Sequence, residues 1–295
     1  MFLILCGCLI WFLADSARLR IAATEALSLC THSVIPALFP FLVVSSLLVS
    51  LGFGAWAAPL FSNLMTPLFH LPGQAGSALL IGLVAGYPLG ARTAADLYQH
   101  GQLSRDEADQ LLYFCNNSNP VFLINVLGLG VFHDIRVGLY LWLIHIAAAL
   151  LTGLLFRGKG HFTREIPRPF VSQPSFPSAC VAAVRDSAAV MLSICAFVTL
   201  FYTVTSPLSV LRNPLGPLLV GCLELFSLTP CLSADAISFV LAAGCSGFGG
   251  LSVMCQTASV LDGTGLSLRP CLLGKLIQGF SSVLLSTLLI PRLFP

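Results

Sequence analysis

Apolar runs succeed one another along this chain, among them Val34 to Phe53, Ala75 to Tyr87, Val121 to Phe132, Val137 to Phe156 and Leu215 to Phe226. Several fall short of the ~20 residues that a straight helix needs to cross a bilayer. Backbone in hydrocarbon must satisfy its own hydrogen bonds, so short apolar runs joined by helix breakers imply broken or re-entrant helices. The expected fold class is all-α: a polytopic membrane helix bundle. Composition agrees, with 9% charged and 57% hydrophobic residues among 295 and a mean hydropathy of +0.92, the profile of a multi-pass membrane protein.

The formal net charge is +2 and no basic stripe with interleaved aromatics occurs, so nucleic acid is not an expected partner. The first apolar run has no basic residue before it and no small-residue cleavage site after it, and reads as a retained membrane helix. Eleven cysteines are scattered through apolar sequence without a Cys-x-x-Cys pair, and read as small hydrophobes in packed helices. No Gly-x-Ser-x-Gly elbow, His-Glu-x-x-His or carboxylate pair at working spacing occurs, so no enzyme activity, cofactor or metal site is expected.

One stretch is aqueous in character. Arg157 to Ser178 carries Arg157, Lys159, Arg164 and Arg168 with prolines at 167, 169, 174 and 177. Its basic content argues for the cytoplasmic side. The expected organisation is an N-terminal membrane helix over 1–17, a first repeat over 18–157, a basic Pro-rich linker over 158–178 and a second repeat over 179–295. Sliding the chain by 161 positions sets Glu25 over Asp186, Gly86-Tyr87 over Gly247-Phe248 and Leu111-Leu112 over Leu272-Leu273. Duplicated units interrupted by Gly or Pro at corresponding places are the pattern of secondary transporters, whose sites form where the two broken elements meet.

The first broken element is Gly86-Tyr-Pro-Leu-Gly-Ala-Arg92, in which Gly86, Pro88 and Gly90 oppose a continuous helix. Arg92 and Asp96, four apart, either pair on one helical face or leave the arginine to an anionic solute and Asp96 to an ion path. A helix starts at Ser104 with Glu107 as capping-box partner. It ends at Asn116-Asn-Ser-Asn-Pro120, where Pro120 blocks continuation and Asn116, Asn117, Ser118 and Asn119 offer amides and a hydroxyl to a polar substrate or to their own backbone. The second broken element centres on Gly247, Gly249 and Gly250, with Gln256 on the next helical stretch. Glu224 and His145, each in an apolar run, are candidates for an ion or proton path; an interfacial position and a helix–helix hydrogen bond are the respective alternatives.

These stretches, with Ser33-Val-Ile-Pro-Ala-Leu-Phe-Pro-Phe41, Gly101-Gln-Leu-Ser104, Phe132-His-Asp134, Gly247-Phe-Gly-Gly-Leu-Ser252 and Gly263-Thr-Gly-Leu-Ser-Leu-Arg-Pro270, resemble the sporulation integral membrane protein family of the YlbJ type. The resemblance covers roughly Leu19 onward. It implies a multi-pass protein with nucleoside-recognition Gate domains, related to nucleoside transporters and to the membrane part of ferrous-iron transporters, in the cytoplasmic or forespore membrane of a spore-forming bacterium. In that family the proposed cargo is dipicolinic acid. Cys115-Asn116-Asn117 departs from a Thr-rich version of the motif.

The resulting expectation is a transporter of a small anionic metabolite working by alternating access. Arg92 would attract a carboxylate, and Asn116 to Asn119 with Gln256 would orient it. A nucleoside or ferrous-iron permease and a non-transporting membrane scaffold are the alternatives. Expected partners are a small-molecule substrate and the lipid bilayer, with a second copy or a sporulation membrane protein as further candidates.

Overall fold

The structure is a computed structural model that describes residues 2–158, 175–208 and 215–294. The linker expected at 158–178 therefore lies mostly outside the described residues. Those residues form helices and no strand. Up to residue 158 these are α1 (Phe2–Ala14), α2 (Ser16–Leu29), α3 (Ile35–Ser50), α4 (Phe53–Phe69), α5 (Ala75–Ala85), α6 (Leu89–Gln99), α7 (Arg105–Leu112), a π-helical segment (Val121–Val131) and α8 (Ile135–Leu155). From residue 175 onward follow α9 (Phe176–Thr205), α10 (Leu215–Leu223), α11 (Leu225–Leu228), α12 (Ala236–Phe248), α13 (Gly250–Leu261), α14 (Arg269–Thr287) and α15 (Ile290–Leu293).

Among the described residues, three stretches are long and apolar enough to cross a membrane: Ile135–Leu155, Phe176–Thr205 and Ala236–Leu261. A fourth arises if Ser16–Val34 and Leu38–Ser50, bent by 55°, count as one span. Beyond its first turn the outer face of α8 is apolar. On α8, Leu139, Leu143, Leu151 and Leu155 are exposed while Ile144, His145, Ala148 and Thr152 are buried, as expected where lipid replaces water outside the bundle.

The two broken pairs share a register. Ala75 and Ala236 open α5 and α12, Leu89 and Gly250 open α6 and α13, and each two first residues are separated by the 161 positions of the repeat. The first break is held open by Gly86 at φ 90°, followed by a cis Tyr87–Pro88 bond. In the second, Gly249 and Gly250 take φ 89° and 82°, a region that glycine enters without steric cost.

Two expected break residues are instead helical. Gly90 lies in α6 and Gly247 in α12, and their role is close approach. A Cβ at Gly82 or at Gly90 would strike the carbonyl oxygen of Cys115. One at Gly247 would lie 2.6 Å from Ser282 Oγ and 2.8 Å from Gly279 Cα. With no apolar driving force between helices in lipid, such small-residue contacts supply much of the association.

The Ser104 cap is present as expected: its Oγ accepts from Glu107 N, and Glu107 Oε2 accepts from Ser104 N at 2.6 Å. Beyond α7 the chain runs as coil through Asn116 to Asn119. This coil is seated in the angle between α5 and α6, where a Cβ on Gly86 would lie 2.9 Å from Asn119 Cβ. On its other side the chain meets α14, since a Cβ on Gly274 would strike the Tyr113 carbonyl. Tyr87 packs against two hydrophobic cores, one built on α4 to α7 with α13, the other on the π-helical segment, α8, α11 and α12.

Candidate functional site

Where the coil meets α14, polar side chains are drawn into the protein. Asn116, Asn117, Ser118, His145, Lys275 and Gln278 are all buried. Lys275 Nζ donates to Gln278 Oε1 at 2.8 Å, and Gln278 Nε2 donates to Asn117 Oδ1 at 2.9 Å. The same Nε2 lies 3.2 Å from His145 Nε2, which also accepts from the Ser118 backbone N–H at 3.0 Å. Asn117 Nδ2 donates to the Phe114 carbonyl at 2.8 Å, and Asn116 Nδ2 donates to Thr257 Oγ1 at 2.9 Å. The Tyr87 ring stands 5.2 Å from Lys275 Nζ, and its hydroxyl donates to the Ser246 carbonyl at 3.1 Å, joining the first break to the end of α12.

This cluster can receive negative charge. Lys275 is 1% exposed, and among the described residues no carboxylate lies within 4.0 Å of it. An amide oxygen and an aromatic face recover only part of the cost of burying an ammonium. Among the described residues, Asn116 Oδ1 and His145 Nδ1 in the cluster have no hydrogen-bond partner, nor have Ser246 Oγ on α12 and Ser282 Oγ on α14, whereas buried polar atoms are ordinarily paired. The cluster therefore holds one cation together with unsatisfied donors and acceptors.

A second polar place is a cavity of about 420 Å³ between α6, α9 and α13, lined by Pro88, Arg92, Asp96, Asp186, Gln256 and Asp262 among others. Arg92 lies 3.9 Å from Asp96 and 3.7 Å from Asp186, and its Nη1 donates to the Asp186 carbonyl at 3.4 Å. Its charge is thus met by two carboxylates. Gln256 Nε2 donates to Ser252 Oγ at 3.2 Å.

The expected site residues accordingly fall into two groups. Arg92, Asp96 and Gln256 share the cavity; Asn116, Asn117, Ser118 and His145 share the buried cluster. None of Asn116 to Asn119 lines the cavity. Tyr87 and Pro88, adjacent in the chain, face the two places. Asn119 is partly buried and starts the π-helical segment, its Oδ1 accepting from Phe122 N at 2.7 Å; Pro120 precedes that segment. Glu224 is buried as the N-cap of α11, accepting from Ser227 N at 2.5 Å.

Sequence reasoning missed Lys275, Gln278 and the part played by Tyr87. Lys275 stands one residue before the apolar run that begins at Leu276, which gave it the look of a boundary residue. The signal that finds it is the repeat register, which lays Gln278 over Asn117 and so marks the Lys275–Gln278 turn as the partner of the Asn-rich coil.

Comparison with known proteins places these features in context. A family described as Gate, nucleoside recognition, matches residues 31–157. The sporulation integral membrane protein YlbJ of Bacillus subtilis (strain 168) is 31% identical, over 88% of this chain and 74% of that protein. No solved structure matches.

Proposed function

The chain belongs to the YlbJ family of sporulation integral membrane proteins, and on that premise we propose that it carries a small dianionic metabolite of the dipicolinic acid type across the bilayer. The observation behind this reading is the buried Lys275, which has no carboxylate partner among the described residues. A solute carboxylate would supply the missing charge. Asn117, Gln278 and the Ser118 N–H would orient it, and the Tyr87 ring, already over the ammonium, offers a face for an aromatic solute. Arg92, compensated by Asp96 and Asp186, would act at the cavity rather than hold the anion.

Transport would follow from alternating exposure of this centre as the two broken pairs move relative to one another. The test is uptake of radiolabelled dipicolinate into proteoliposomes. Saturable uptake, unaffected by excess adenosine and reduced roughly 10- to 100-fold in Lys275→Met, is expected from loss of a charge-assisted contact. Full uptake by a folded Lys275→Met protein overturns the reading, and competition by adenosine favours a nucleoside permease.

A further inference from the structure

Resting on the anion reading and deepening it, we propose that each dianion binds together with one proton and that His145 is the group that takes the proton up. The hydrogen-bond pattern determines the starting state of the ring. A backbone N–H can only donate, so the Ser118 N–H, 3.0 Å away, requires a lone pair on His145 Nε2. The ring proton of the neutral imidazole is then on Nδ1, which is buried and has no partner among the described residues. His145 is therefore a neutral ring with its basic nitrogen engaged and its N–H idle, one amide away from a buried ammonium.

The charges facing His145 are few. From α14 comes Lys275, linked through Gln278, whose Nε2 is 3.2 Å from the ring; Arg269 and Cys271 lie on that helix toward its start, and Cys115 precedes the coil that carries Ser118. The π-helical segment and α4 contain no titratable residue, and α12 contributes Cys245 as its only one. On α8 itself the others are Arg136 and Tyr140, at least one turn away toward the helix start. Without ligand, an imidazolium here would stand beside a second cation. With a dianion bound, Lys275 cancels one negative charge and leaves one over, and His145 is the basic group placed to cancel it.

The step balances simply. A hydronium O–H bond breaks, leaving water, and its proton forms an Nε2–H bond with the lone pair that now accepts from Ser118. The Ser118 N–H and the Gln278 amide are released and turn to the ligand's carboxylates, while Nδ1–H gains an acceptor. No other bond is made or broken. The released donors lie in the Asn116–Asn119 coil seated against the first break, so proton and anion together act on the element that has to move.

The test is calorimetric titration of the purified full chain in detergent with dipicolinate, at a pH where the probe is fully ionised, in two buffers of different ionisation heat. The wild type is expected to take up about one proton per ligand, and its affinity to fall about tenfold per pH unit on the alkaline side. His145→Gln, which keeps an acceptor for Ser118, is expected to bind more weakly and take up none. Binding by the wild type without proton uptake, or undiminished uptake in His145→Gln, overturns the inference and leaves the anion site standing. Absence of binding by the wild type removes the anion site and the inference with it. Should His145→Gln fail to fold, the wild-type pH slope decides alone: a flat slope overturns the proposal.

Discussion

Asn117 and Gln278 are 161 positions apart in the chain and joined by a 2.9 Å hydrogen bond, so the register that relates the broken helix pairs also relates two amides at the centre of the molecule. Gln278 holds Lys275 with its oxygen and Asn117 with its nitrogen. Replacing it with glutamate keeps the size and places a carboxylate against the ammonium. Gln278→Glu gains an ion pair with Lys275 and loses the donation to Asn117 Oδ1; it is expected to stay folded, because the pair offsets the lost donor, while dipicolinate uptake drops to background because the cation is already matched. Gln278→Ala leaves two buried groups unpartnered and should cost about 1–3 kcal/mol or more. Melting curves alongside uptake separate the two effects, and a Gln278→Glu protein with full uptake would count against Lys275 as the anion's partner.

Gly82 and Gly90 flank the first break and approach the same atom, the carbonyl oxygen of Cys115. Either alanine substitution forces that strand of coil outward, at a cost of about 1–3 kcal/mol typical of overpacking. Because one shift of Cys115 relieves both, the double variant should lose less than the sum of the singles. Thermal melting of the three variants in detergent measures this; strict additivity would mean that the coil does not move as one piece.

Arg92 is only partly buried and its partner Asp186 is more exposed still, with side-chain exposures of 19% and 43%. Ion pairs of that kind contribute less than about 1 kcal/mol. Arg92→Gln is expected to leave melting nearly unchanged and to lower uptake several-fold at most, against the much larger loss in Lys275→Met. The reverse ranking of the two variants in the same proteoliposome assay would return the anion to the cavity.

Asp134 stands just outside the α8 span, accepting from Arg136 N at 2.8 Å and pairing with the Arg136 guanidinium at 2.9 Å. Those contacts hold its carboxyl below the usual carboxylate range. Since the folded-state value lies under the unfolded ~3.9, the stabilisation is present at neutral pH and is lost as pH falls from about 4 through the folded-state value. Wild type should therefore melt above Asp134→Asn at pH 7, and the gap should close on acidification. A gap that widens toward low pH refutes this account.

Much of the architecture could be read from residues alone. The helical class, the start of α7 at Ser104 and the existence of two interrupted elements each had a local chemical cause: hydropathy, a capping box, and Gly or Pro in apolar sequence. Which glycine does which job had none. Gly247 and Gly249 look alike in sequence, yet one packs against Gly279 and the other takes positive φ, and that choice depends on where α14 lies. The Asn-rich coil was recognisable as a polar interruption because four consecutive polar residues in apolar surroundings are costly. Its electrical partner was not, because Lys275 sits at the edge of a hydrophobic run where cations usually reach toward the interface. Arg92 was visible for the same reason that it is compensated: Asp96 lies one turn away on the same helix, while Asp186 reaches it only through the tertiary fold.

The 161-residue register also pairs residues of unlike chemistry. Lys275 lies over Phe114, which is buried and stacks on Phe69 with ring centroids 4.8 Å apart, and Tyr87, whose hydroxyl reaches Ser246, lies over Phe248. The ammonium comes from α14 and the histidine and asparagines from α8 and the coil after α7, so the buried cluster exists only where these distant parts of the chain meet.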